Sequence, residues 1–182
     1  MTWPRRVRAL PALAGVLACA LTQAGTARAQ ATATITALAE VSNVALAVAS
    51  LRDLGFGTVV PGAPVSVSPA TSAVAGKFEL HGARNAQFSA TFTLPTALQA
   101  GLGGPTMPIA FGAGAGCHYD RDQQSKCATF NPASGLIQRI RNNPPPNDSY
   151  FVWIGGTVTP GASQAAGVYQ GTVTLTASYT GL

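Results

Sequence analysis

Cys117, His118, Asp120, Asp122 and Cys127 crowd thiol, imidazole and carboxylate side chains into one short stretch, the one place where metal ligands gather in the sequence. Zinc needs four ligands in tetrahedral array, and the paired Cys-x-x-Cys or His-x-x-x-His spacing that supplies them is missing. Calcium would suit Asp120 and Asp122, but the glycine and bidentate glutamate of a recognised calcium loop are absent. A disulfide asks only for two neighbouring cysteines and an oxidising compartment. A Cys117–Cys127 bond is therefore expected, tying down the polar insertion His118 to Lys126, with no metal and no cofactor. Closing so short a loop contributes about 2 to 3 kcal/mol.

Catalytic chemistry finds little support elsewhere. His81 and His118 are the only histidines, and the chain has no Gly-x-Ser-x-Gly elbow, His-Glu-x-x-His pair or phosphate-cradling glycine loop. His81 follows Phe78-Glu79-Leu80 and precedes Gly82, which makes it a strand-end histidine near solvent. The six acidic residues are scattered along the chain. No enzyme activity is expected.

Arg5, Arg6 and Arg8 precede an apolar run from Ala9 to Leu21, and the small-residue site Ala27-Arg28-Ala29 follows, the pattern of a secretory signal peptide over residues 1–29. The run is too short for a membrane span. A lipoprotein reading, with Cys19 lipidated after Val16-Leu17-Ala18, fits less well because Leu17 is unusual there. Residues 30–182 are then one exported domain with no membrane span, destined for the periplasm, outer surface or exterior of a Gram-negative bacterium. Four of the eleven basic residues leave with the leader; the remaining seven face six acidic ones, a net charge of +1. No basic cluster interleaved with aromatics remains to track phosphates, so nucleic acid is excluded as a partner.

The elements that must hold these residues read as strands. Charged residues make up only 9% of the chain, and Ala, Thr, Gly, Ser and Val dominate, a composition of short strands and turns. Period-two alternation places Tyr169, Gly171, Val173, Leu175, Ala177 and Tyr179 on one face of a strand ending the domain. Gln87 to Leu94 alternates likewise, and so does Ala31 to Ala37, with Ala31, Ala33, Ile35 and Ala37 opposite three threonines. Further strands are expected over 44–51, 56–60, 65–68, 77–80, 107–111, 136–141 and 151–159. Pro61-Gly62, Gly103-Gly104-Pro105, the run 142–148 and Pro160-Gly161 separate them. The stretch 37–54 is the nearest approach to a helix, but its valines and Gly55-Phe56-Gly57 favour strand and turn. The fold expected is all-β, an antiparallel β-sandwich of immunoglobulin type.

Two segments carry a resemblance. Leu54-Gly55-Phe56-Gly57-Thr58-Val59-Val60-Pro61-Gly62, followed by Val65 to Pro69, resembles the opening strand-turn of a bacterial family of secreted domains of unknown function, of the 4402 type. Gly155 to Thr159 and then Ala166 to Tyr179 resemble its close, with Thr93-Leu94-Pro95 and Pro105 to Phe111 matching between. Gly55 stands where that family usually has an acidic residue, and the cysteine insertion and Pro144 to Pro146 depart from it. The C-terminal strand is also distantly similar to spore-coat-U-like and chaperone-usher pilin domains. Such pilins end in a strand with a glycine twelve positions before a near-terminal tyrosine, as Gly167 and Tyr179 are spaced.

The pilin similarity implies an assembly mechanism. A sandwich that lacks a strand has its groove filled first by a periplasmic chaperone and then by the alternating N-terminal extension of a like subunit, main-chain bonds giving affinity and alternate side chains register. The candidate assembly residues are Ala31, Ala33, Ile35 and Ala37 on the donor side, and Gly167, Tyr169, Val173, Leu175 and Tyr179 in the last strand. Self-pairing within one sandwich explains the same alternation. The functions that follow are a structural, fimbria-like surface subunit or a monomeric secreted or surface-tethered binding module. The module would use loops 112–130 and 142–149, with Tyr119, Phe130, Tyr150 and Trp153 as aromatic anchors, although a place in the core suits each of them at least as well, Trp153 above all, between Val152 and Ile154 in a strand.

Overall fold

A computed structural model of the chain describes residues 44–141 and 148–180. The expected signal peptide, Ala31, Ala33, Ile35 and Ala37, and most of the loop 142–149 lie outside the described residues. No described helix is long and apolar enough to cross a membrane.

Among the described residues, twelve strands form three sheets in which every strand pairing is antiparallel. One sheet orders β1 (Ala47–Arg52), β3 (Gly76–His81), β10 (Ser149–Ile154), β7 (Gly116–Tyr119) and β8 (Ala128–Phe130) side by side. A second holds β2 (Val65–Val67), β11 (Gly156–Val158), β6 (Thr106–Ala110) and β5 (Ala97–Gln99), and a third holds β12 (Thr174–Tyr179), β4 (Gln87–Thr93) and β9 (Leu136–Arg139). This is the expected antiparallel β-sandwich.

Alternation decides which side chains make the core. Leu80 of β3 and Tyr150, Val152 and Ile154 of β10 pack against Phe88 and Ala90 of β4, Leu136 of β9 and Leu175 of β12. The five-stranded and three-stranded sheets thus close over one apolar layer. A second cluster, Leu98, Met107, Ile109 and Val158, lies under the four-stranded sheet. Each large side chain so buried contributes roughly 1.5 to 3 kcal/mol.

Two expected strands are broken, for one physical reason. The run 151–159 divides into β10 and β11 at Gly155, where a Cβ would collide with the Val67 carbonyl oxygen. The chain there leaves the five-stranded sheet and enters the four-stranded one, a corner only glycine can turn. The run 169–179 is a strand only from Thr174, since Gln170 bridges to Gln99 beside β5 whereas Thr174 onward pairs with β4. Between them Gly171 passes so close to the four-stranded sheet that a Cβ would stand 2.8 Å from Leu98 Cδ2. The apolar run 56–60 joins no strand at all. Conversely β5, β7 and β8 form where no strand is expected. Within 37–54 the described residues form strand β1 over Ala47–Arg52 and no helix.

Candidate functional site

Cys117 and Cys127 are joined, with Cα atoms 5.5 Å apart, which removes both sulfurs from any metal set. The neighbouring acids serve different partners. Asp120 receives a 2.6 Å hydrogen bond from Arg141 Nη1, and Asp122 pairs with Lys77 Nζ at 2.7 Å. The disulfide loop roofs the outer face of β10. There Trp153, 1% exposed, and Phe151 pack with Cys117, Tyr119, Ala70 and Cys127. The Lys77 ammonium sits 4.9 Å from the centre of the Phe151 ring, a cation–π contact shielded by the same roof. Trp153 and Tyr150 therefore belong to the interior and are not surface anchors. Phe130 is half-buried over His118 and Phe92.

Within the sandwich, His118 Nδ1 and the Tyr150 hydroxyl share a 2.7 Å hydrogen bond. Burial holds the His118 imidazole below its ordinary pKa. Burial, and then the Asp120 carboxylate, raise the Tyr150 phenol well above its own. Both shifts favour the neutral form of the group. His81 ends β3, half in solvent as expected, beside Glu79 Oε1 at 3.0 Å and facing the Ser149 hydroxyl.

The two margins β1 and β12 meet at one end only. Tyr179 Oη accepts a 2.6 Å hydrogen bond from the Ala83 amide and donates to the Val44 carbonyl at 3.0 Å. Gly82 leaves room for this clasp, since a Cβ there would lie 2.7 Å from that hydroxyl. Beyond Ser50 a groove of about 1030 Å³ opens, one wall formed by residues 50–61 and the other by residues 164–173. Its floor is core: Leu98, Met107, Ile109, Ile154 and Val158 are all buried residues that line it. The walls lie outside every ladder at Phe56 to Val60 and at Gly171 to Val173. An apolar floor with a wall lacking a ladder partner on each side suits an added segment of alternating side chains.

The last-strand candidates divide accordingly. Gly167, Tyr169 and Val173 line the groove. The Tyr169 hydroxyl is fixed by Gln164 Nε2 at 2.6 Å and by the Ala165 carbonyl at 2.7 Å. Leu175 lies in the main core, and Tyr179 makes the clasp. Alternation alone could not expose this division, because the wall at 56–60 is distant in sequence from the one at 164–173. Phe56 and Val59, read as an ordinary strand, are the groove residues missed.

No curated protein matches the chain. The family model described as "Domain of unknown function (DUF4402)" matches residues 46–179, from the start of β1 to the clasp tyrosine, so both groove walls and the floor fall within it, and the chain belongs to that family.

Proposed function

We propose that this domain is a non-catalytic structural subunit, exported and fimbria-like, whose groove accepts an extended segment from a like subunit. The groove between residues 50–61 and 164–173 carries the reading. The buried side chains of its floor lie between two stretches of chain that pair with no strand, and an added strand would lie on the apolar floor and hydrogen-bond the main-chain walls. The alternating segment Ala31, Ala33, Ile35 and Ala37 is the proposed donor, and a periplasmic chaperone the proposed earlier occupant. The distant similarity of the last strand to pilin subunits supports the same mechanism, as does the signal-peptide pattern.

The test is size-exclusion chromatography with light scattering on residues 30–182, beside the Phe56→Arg variant and a protein beginning at Val41. The reading expects heat-labile, SDS-resistant multimers from the first and none from the other two. Three monomers of equal stability would sink it and leave the monomeric binding module as the function to pursue.

A further inference from the structure

The disulfide loop reaches further than the tryptophan it covers. Its short 3-10 turn, Gln124–Lys126, presents the Gln124 carboxamide to the loop preceding β3: Nε2 donates to the Pro69 carbonyl at 2.7 Å and the Ser72 carbonyl at 2.9 Å. That loop in turn holds the start of the groove wall. The Ala75 carbonyl accepts from Arg52 Nε at 2.7 Å, the Val74 carbonyl from the Gly55 amide at 2.9 Å, and Arg52 Nη2 lies 3.5 Å from Gln124 Oε1. Packing tightens the same joint, since Gly76 faces Leu54 so closely that a Cβ would stand 3.3 Å from Leu54 Cβ. Arg52, Leu54, Gly55 and Gly76 all line the groove. A continuous chain of short hydrogen bonds therefore runs from the loop closed by Cys117–Cys127 to the rim. It arrives at Arg52, the last residue of β1, which pairs with Lys77 after the register shift that follows Ser50, and at the start of a wall, residues 53–60, that belongs to no strand.

We propose that the Cys117–Cys127 loop is a brace for the groove, with Gln124 the positioning residue that sets the rim from Arg52 to Gly55. This rests on the strand-acceptor reading above. Carboxamide hydrogens are what the two carbonyls require, and a carboxylate cannot supply them. Elements linked by such a network shift together, and cutting one link alters the distant site's affinity several-fold.

The test uses a fluorescent peptide of residues 30–43 and the full mature chain carrying Ile35→Asp, so that its own segment does not compete. Peptide affinity is measured by anisotropy and stability by thermal unfolding. Gln124→Ala and Gln124→Glu are each expected to weaken the peptide about tenfold. Ile140→Val, in the sandwich core away from the groove, is expected to lower the melting temperature and leave affinity unchanged. Parental affinity in either Gln124 variant overturns the brace while the strand-acceptor reading stands. An Ile35→Asp chain that binds no peptide overturns the acceptor reading, and the brace with it.

Discussion

Phe151 and Trp153 on the outer face of β10, and Met107, Ile109 and Val158 on the floor of the groove, are equally apolar and equally buried, yet only the first group lies beneath a covalently closed loop. The roof is local. Cys117 on β7 and Cys127 just before β8 close a loop of sequence separation 10, and Lys77 adds its ammonium from the neighbouring strand. Beside the groove, the walls at 56–60 and 171–173 lie outside every ladder. A groove between walls that belong to no strand is a place for another segment, whereas a face closed by a covalent loop is not.

The contrast can be broken most severely at Trp153. Trp153→Ala should cost about 4 kcal/mol in chemical denaturation, because a fully buried indole leaves a cavity that its covalently fixed roof cannot collapse into. Replacing Cys117 and Cys127 together by serine should cost about 3 kcal/mol by the same measurement, mostly through the freed unfolded chain. Tyr179→Phe removes the hydroxyl between Ala83 and Val44, and a loss of about 1 to 2 kcal/mol is expected.

A pH titration of stability probes the interior from a different side. Because the folded His118 has a lowered pKa, the unfolded chain takes up its proton first. Stability should therefore fall as the pH drops below the ordinary imidazole value of 6.5, levelling once the folded group also protonates. The raised Tyr150 gives the opposite limb, stability falling above the ordinary phenol value of 10.0, where only the unfolded chain ionises. His118→Phe should flatten the acid limb in thermal melts run at several pH values. The smallest stability effect belongs to the groove: Val168→Arg, at a wall residue 76% exposed, should change stability by no more than about 0.5 kcal/mol. Multimers surviving in that variant, as read by light scattering, would show that the wall it alters is not the one an added segment meets.

Much of the fold was legible because period two survives in strands with one buried face. Gln87 to Thr93 and Thr174 to Tyr179 alternate visibly and form β4 and β12. Legibility failed where a chain changes sheets. Gly155 and Gly171 sit inside otherwise regular runs, and what makes each a corner is the close approach of Val67 and Leu98, contacts across long sequence separations. The strand β10 settles an open alternative: all six of its residues are buried, so Tyr150 and Trp153 take the core reading that Val152 and Ile154 beside Trp153 already favoured, while the sequence could not show the roof. The disulfide was readable from two neighbouring cysteines in a chain whose first residues carry a signal-peptide pattern. The groove was not, since neither of its walls carries a pattern that distinguishes an unpartnered strand from a partnered one.

The Tyr179 clasp has a consequence for the form of any assembly. Val44, where the chain enters β1, is held at the closed end of the seam, while the groove begins beyond Ser50 at the other. A lender that departs from one pole and a borrower that receives at the opposite pole make a contact that does not close on itself. Under the proposed assembly the product would have a direction, and where its rotation does not close a ring it would carry one vacant acceptor and one unspent donor at its extremities, its length set by the rates of starting and capping rather than by symmetry.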